Sequence, residues 1–580
     1  MTNHSRRWAS SLISLFLASS LLQALAGCGS DVLTPSGPSN ANTTGGGSAT
    51  SARAGGGATL GGPSGGGGTT PSPSEAGSTS NFGGTGGAPL RGDNSTGGLF
   101  AAGNSTGGSN VGGSAAGGFG TGGSVAAKGG SGGSGIGGTG TAGLASDGTA
   151  FGGAATGGMG VSTGGSLITG LATPASVLEA MQRANSYFVA RWPDPTQDIV
   201  TDKTRPSNLW TRAIYYEGLM GLYSIEPDST KRTAYYNYTV AWASSPSHPY
   251  TMTYTAAATM TNNADNQACG QTYIDLYRID PQPERIAVIK ANIDDMVTKN
   301  TADVWTWIDA IQMSMPVFAK LGKTLTDTKY FDAMWSLYAH ARNTQGGGLF
   351  NTTEGLWWRD WHFTPSGGTK QTMTATLNNA VPPTTTDAYI VAPNGKNLYW
   401  SRGNAWVMAA LVRVLDELPS TDPHLAQYIS DFQAMAAALL PIQRSDGFWP
   451  ESLADPSHCA TIGIANQDGP ETSGTALFVY GLAWGIRNGL LASTTYGSAL
   501  VKAWNGLVTT ALQSNGLLGY VQNTGDRPCT GPAPLAATTL ANFDDYGVGC
   551  FLLAGTEIYR LSSNEYARNT IEPNQAASRS

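Results

Sequence analysis

The chain has 580 residues and a net charge of −7, from 39 acidic and 32 basic residues, with six histidines and five cysteines. No stripe of basic residues runs along any predicted helix, which argues against nucleic acid as a partner. No HExxH or CxxC spacing occurs, so neither a metal nor another cofactor is expected.

Arg6 and Arg7 precede an apolar stretch from about Leu12 to Leu25, the order of a secretory signal. Leu25-Ala26-Gly27-Cys28 follows and resembles a bacterial lipobox, so residues 1–28 are expected to be a lipoprotein signal with Cys28 as the lipid attachment site. One acyl chain holds a bilayer weakly, and stable anchoring requires the full multi-acyl modification. Gly29 takes the place of the aspartate that can retain lipoproteins at an inner membrane, which favours the outer membrane. The expected localisation is the cell envelope, lipid-anchored, or extracellular. From residue 29 to about 170 the chain is Gly, Ser, Thr and Ala with almost no large apolar side chain. Such a segment cannot bury enough surface to offset chain entropy. It reads as a disordered tether with a root-mean-square reach of roughly 60 to 70 Å.

Tryptophan, tyrosine and helix-period apolar residues begin near residue 171 and run to about 562, enough chain for one large domain. The polar stretch 563–580 is expected to fray. Apolar spacing at i, i+3, i+4 and i+7 predicts helices near 176–191, 208–224, 229–244, 265–279, 283–299, 304–322, 326–343, 402–418, 423–443, 473–490, 496–514 and 545–561. About twelve helices without alternating β-branched runs suggest an all-α fold, six helical hairpins closed into an (α/α)6 barrel. The active cleft of such a ring lies at one end, where loops join. The long loops near 344–401 and 444–472 are rich in Trp, Gly, Pro, Asp and His, and long loops in a compact domain are usually functional. The four cysteines beyond Cys28, which are Cys269, Cys459, Cys529 and Cys550, are expected to be structural, as bridges or buried thiols, and spacing does not pair them.

The segment Trp305-Thr306-Trp307-Ile308-Asp309-Ala310 is predicted to set a carboxylate in an apolar, aromatic helix. Burial there disfavours the charged form, as a general acid working near neutral pH requires. A buried aspartate capping a neighbouring helix would have the same surroundings. Asp265 opens the predicted helix 265–279, where an N-terminal carboxylate is also explained by capping. Trp400-Ser401-Arg402-Gly403-Asn404-Ala405-Trp406 ends the first long loop; its Trp400 and Trp406 can stack on a sugar and its Arg402 can clamp a carboxylate. The alternative is a packed tryptophan with a structural arginine. Trp357-Trp358-Arg359-Asp360-Trp361-His362 repeats the mixture of rings and charges. Arg359 and His362, with Tyr216 from the helix near 208–224, complete the candidate sugar contacts.

These motifs, together with Ala264-Asp265-Asn266-Gln267, Glu471-Thr472-Ser473-Gly474 and Tyr546-Gly547-Val548-Gly549, resemble the unsaturated rhamnogalacturonyl hydrolases of glycoside hydrolase family 105. The likeness covers the chain in order from about 180 to 561. It implies an (α/α)6 barrel that acts without metal on oligosaccharides ending in a 4,5-unsaturated uronic acid, galacturonyl or glucuronyl, such as lyase-cut pectin or rhamnogalacturonan. It implies that Asp309 is general acid and base, that Asp265 assists, and that Trp400, Arg402 and Trp406 bind the unsaturated sugar. Many members carry a His-containing loop before the Trp-Arg-Gly-Asn motif, a place where this chain has His362. A glycan-binding lipoprotein without activity and an inverting glycosidase for saturated sugars are the other two functions compatible with the residues.

Overall fold

The computed structural model describes residues 168–577 apart from 201–203, 254–261, 366–367, 379–387, 465–466, 531–535 and 539–544. The expected signal, the attachment site at Cys28 and nearly all of the expected tether lie outside the described residues.

Twelve helices of ten residues or more occur among the described residues, in chain order alternately outside and inside a ring. The outer ones are α1 (Pro174–Arg191), α3 (Ser229–Ala243), α5 (Glu284–Lys299), α7 (Lys329–Asn343), α9 (Leu425–Leu439) and α11 (Ser493–Gly506). The inner ones are α2 (Trp210–Ile225), α4 (Gly270–Ile279), α6 (Asp309–Leu325), α8 (Ser401–Glu417), α10 (Thr472–Arg487) and α12 (Asp545–Ala577). Each inner helix packs on the next, and α12 closes back onto α2 while α1 covers it from outside. The fold is therefore the (α/α)6 barrel.

Burial explains which helix goes where. The inner helix α10 is buried on every side from Thr472 to Gly485, as an element enclosed by protein must be. The outer helix α3 buries Thr239, Trp242 and Ala243 and turns its other residues outward. Local chemistry sets several ends. The Thr173 hydroxyl accepts from Ser176 N ahead of Pro174 at the start of α1, Asp228 accepts from Thr230 N and Lys231 N at the start of α3, and Asn300, left-handed at φ 47°, stops α5.

Three boundaries differ from the sequence expectation. The helix predicted over 265–279 is divided into a turn at Ala264–Gln267 and α4. The helix predicted from 304 starts at Asp309, because Trp307 pairs in a β-bridge with Asp360 and Ile308 N donates to Arg359 O at 2.9 Å, which holds the preceding chain extended. The last helix continues to Ala577, past the boundary expected at 562.

The connections are strongly unequal. Those from inner to outer helices span only 226–228, 280–283, 326–328, 418–424 and 488–492, whereas those from outer to inner span 192–209, 244–269, 300–308, 344–400, 440–471 and 507–544. Short turns make each hairpin antiparallel, so the long connections gather at the end of the ring where the inner helices begin. The interior is not wholly apolar. Between α2, α6 and α8, Glu217 Oε2 takes Arg413 Nη2 at 2.9 Å and Gln312 Nε2 at 3.0 Å. Burial pushes Glu217 up to about 7 against the pull of Arg413 and Lys320.

Closure depends on how near α2 and α12 can approach. A Cβ on Gly218 would lie 2.4 Å from Gly549 O, and one on Gly549 would lie 2.2 Å from Ile214 O. Backbone, not a flexible side chain, blocks the space. Gly549→Ala is expected to destabilise the barrel by about 1–3 kcal/mol, seen as a lower midpoint of thermal unfolding, whereas alanine at the open Gly469, where a Cβ meets nothing within 4 Å, should leave the midpoint nearly unchanged.

Candidate active site

Asp309 is the first residue of α6, and Trp305 and Trp307, expected to share its helix, lie in the chain just before it. Its side chain is 12% exposed and its Oδ2 lies 3.3 Å from Arg359 Nε. Burial raises its pKa, and the nearby charges of Arg359 and Arg402 partly oppose the rise. Asp265 is half-buried within the turn Ala264–Gln267, with its N–H capped by Asn263 Oδ1 at 2.9 Å. That turn packs against α6, bringing both candidate carboxylates onto neighbouring elements at the same end of the ring.

The loop between α7 and α8 supplies the cation. Arg359 donates through Nη1 to Asp360 Oδ2 at 2.8 Å, and Asp360 Oδ1 accepts from His362 N at 2.9 Å and faces His362 Nδ1 at 2.7 Å. Burial alone would raise the pKa of Asp360, but the His362 hydrogen bond and the Arg359 charge outweigh it and hold the carboxyl well below the usual range. The Trp361 ring stacks on His362 with centroids 3.8 Å apart. Arg359, Trp361, His362 and Trp307 keep partial exposure, so the expected contacts Arg359 and His362 stand at the accessible part of the site.

The Trp400–Trp406 motif plays a different part. Asn404 behaves like a short piece of strand: its Oδ1 accepts from Trp357 N at 2.8 Å and its Nδ2 donates to Trp357 O and Trp400 O, both at 3.0 Å. Gly403 leaves room for the Trp400 ring, since a Cβ there would stand 2.7 Å from Trp400 Cε3. Arg402 lies 4.6 Å from the Trp400 ring and donates to Gln522 O and Asn523 O, each at 2.8 Å. Arg402 thereby clamps the loop 512–530 through its two terminal nitrogens. Trp406 and Tyr216 are wholly buried, Trp406 edge-on to Trp210 and Tyr216 stacked on Trp242 at 4.0 Å. In this structure they back the site and present no free face to a sugar. Trp400 is 2% exposed, with its Nε1 donating to Gln522 Oε1 at 2.8 Å.

Sequence reasoning missed the third wall, the loop between α11 and α12. Gln522 also donates through Nε2 to Glu451 Oε2 at 2.7 Å, and Cys529 N donates to the same oxygen at 2.6 Å. Burial drives the Glu451 pKa well above its usual value, partly opposed by that Cys529 N–H. Cys459 and Cys529 form a disulfide, whereas Cys269 and Cys550 are buried thiols. Glu451 and the two bridged sulfurs lie within 4.8 Å of one another, but sulfurs bonded to each other offer no thiolate to a metal. Glu471, in a motif already noted, caps α10 by accepting from Ser473 N at 2.9 Å and Gly474 N at 2.7 Å, and it receives Gln522 N at 3.2 Å. The cysteines were the one visible signal for this wall, and their partners became apparent only in three dimensions.

The bridge therefore ties loop 440–471 to the loop that holds Trp400 and Arg402 in place. Replacing both Cys459 and Cys529 by serine is expected to cost about 4 kcal/mol at most from the loop entropy released in the unfolded chain. Steady-state kinetics should show KM rising more than kcat falls, because the loosened wall supports binding and not Asp309.

The profile of Glycosyl Hydrolase Family 88 matches residues 180–376 and 385–562. A protein named Unsaturated 3S-rhamnoglycuronyl hydrolase, from Formosa agariphila, is 30% identical over 373 residues, 61% of this chain and 84% of that protein. The solved structure of a family 88 glycosyl hydrolase from Bacteroides vulgatus is 30% identical, covering 67% of this chain and 100% of that one with a TM-score of 0.55. A structure described as a polysaccharide lyase is 29% identical, covering 67% of this chain and 97% of that one with a TM-score of 0.54. The motifs resemble a family numbered 105 and the matching profile is numbered 88; glycoside hydrolysis is common to both.

Proposed function

The chain belongs to Glycosyl Hydrolase Family 88, and on that premise we propose that it removes a 4,5-unsaturated uronic acid, galacturonyl or glucuronyl, from the non-reducing end of oligosaccharides left by a polysaccharide lyase. The observation that carries this reading is Asp309: a carboxyl with raised pKa, faced by a cation and placed at the mouth of the ring. The name of the Formosa relative supports rhamnose as the next sugar, in line with rhamnogalacturonan-type fragments.

In this mechanism Asp309 gives its proton to C4 of the vinyl ether, and positive charge develops at C5 and the ring oxygen. Water adds to C5 and returns a proton to the Asp309 carboxylate. The C5 hemiketal then opens, which turns C1 into a hemiacetal that expels the remaining sugar chain as an alcohol. One carboxyl of intermediate proton affinity can serve both steps, whereas hydrolysis of a saturated glycoside usually uses two flanking carboxyls. Arg359 and His362 are the groups placed to meet the uronate carboxylate, Trp400 lines the sugar wall, Asp265 assists Asp309, and Arg402, Trp406 and Tyr216 keep that wall in place. The sequence signal and lipobox support attachment through Cys28 at the cell envelope, and the Cys459–Cys529 bridge accords with an oxidising compartment.

The conjugated C4=C5 uronate absorbs in the ultraviolet, so turnover removes absorbance. The wild type is expected to bleach an unsaturated uronyl-rhamnose disaccharide, and Asp309→Asn to lose at least about 100-fold in kcat with KM little changed. Wild-type turnover by the Asn variant would refute the role of Asp309. A rise in absorbance on intact polysaccharide would indicate lyase chemistry. Binding without any change would favour a glycan-binding protein, and release of saturated sugars that survives Asp309→Asn would favour a conventional glycosidase.

A further inference from the structure

Arg359 stands between carboxylates that make unequal claims on it. Its Nη1 contact with Asp360 Oδ2 is 2.8 Å and its Nε contact with Asp309 Oδ2 is 3.3 Å. Asp360 is itself fixed. Its backbone bridges to Trp307, Phe363 N donates to its carbonyl at 3.1 Å, and its second oxygen is engaged by His362. The same strand contact that holds Asp360, Ile308 N to Arg359 O, ends one residue before Asp309. The start of α6 and the loop between α7 and α8 are thereby locked to each other, with one guanidinium between the carboxylates of Asp309 and Asp360.

We propose that Asp360 is a positioning residue that sets how firmly Asp309 holds its proton, by competing with it for Arg359. The proposal rests on the reading of Asp309 as the acid and base of the reaction. A guanidinium paired with Asp309 alone would hold the acid ionised and unable to protonate C4. With no cation nearby, a buried carboxyl would keep its proton too tightly to act afterwards as a base toward water. Sharing the cation with a second, permanently charged carboxylate places Asp309 between these limits, as a group that must give and retrieve a proton in one cycle requires.

The remaining charges around the pair are accounted for. Asp309 feels Arg359 and Arg402, and the terminal nitrogens of Arg402 are occupied by the carbonyls of Gln522 and Asn523. Arg359 faces Asp309, Asp360 and Asp526. Asp526 is tied to Arg527 at 2.6 Å, and Asp360 also faces His362. Of these groups Asp360 makes the short contact to Arg359, so its charge governs the division most directly.

The test is the pH dependence of kcat/KM on an unsaturated uronyl-rhamnose disaccharide, whose basic limb reports the acid in the free enzyme. Asp360→Asn removes a nearby negative charge and frees Arg359 for Asp309; both changes favour the ionised acid, so the limb should move to lower pH by about one unit. Arg359→Gln should move it the opposite way. Asp360→Glu, which keeps the charge, should restore it toward the wild-type position. Opposite displacements cannot arise from general loosening of the loop, which lowers the rate at every pH and leaves the limb in place. A folded Asp360→Asn variant whose limb stays put or rises would overturn the proposal. If Asp309→Asn is inactive in that same experiment, the failure belongs to Asp360 alone; if Asp309→Asn remains active, the underlying reading of Asp309 fails first.

Discussion

Everything at the site depends on the common direction of the six inner helices. Because each of the first five is followed by a short turn and an outer helix, and all six are reached by a long connection, the inner helices all begin at the same end of the ring. Their first turns carry unpaired N–H groups and partial positive charge. Carboxylates collect there accordingly: Asp309 opens α6, Glu471 caps α10, and Asp545 opens α12, where it accepts from Arg212 Nε at 3.1 Å. This end of the ring therefore gathers the starts of the inner helices beside the ends of the outer ones, with Arg212, Arg359 and Arg402 among them.

The same constraint divides labour among the charged residues. Arg402, expected to bind the sugar, and Glu471, part of a motif that carries the family resemblance, both join helix starts to the loop 512–530. Arg359, from a loop, carries the partly exposed guanidinium beside Asp309. Buried ionic groups of this kind contribute little net stability, and removing one partner is costly because it strands the other. Their arrangement fits a site that needs rigid walls around one adjustable carboxyl. The opposed tendencies at Asp309 follow from its position: burial raises its pKa, whereas the helix start and two arginines favour its charge.

The loops form the site by pairing with each other in sequence around the ring. Trp307 bridges to Asp360, Trp400 to Ser452, and Trp449 to Glu471, while Thr472 N donates to Tyr520 O at 2.8 Å. Each contact joins one long connection to another or to a helix start, and the Cys459–Cys529 bond adds a covalent link between the last two. Backbone pairing at these points is what holds side chains from distant parts of the chain within hydrogen-bond distance.

The twelve helices, the ring they form, the two most conspicuous loops and Asp309 as the candidate acid were legible along the chain. Helix periodicity and the desolvation of a carboxylate among aromatic residues are local properties, readable from neighbours along the chain. Tertiary structure decided where α6 begins, that Arg402 holds a loop, that Asp360 divides Arg359 with Asp309, and that Cys459 pairs with Cys529. Those outcomes depend on contacts between segments far apart in sequence, and neither spacing nor composition carries that information. The loop 512–530 shows the limit most clearly: its Gln522 has no helical period and no charge, yet it touches Trp400, Glu451 and Glu471 because the closing of the ring brings it there.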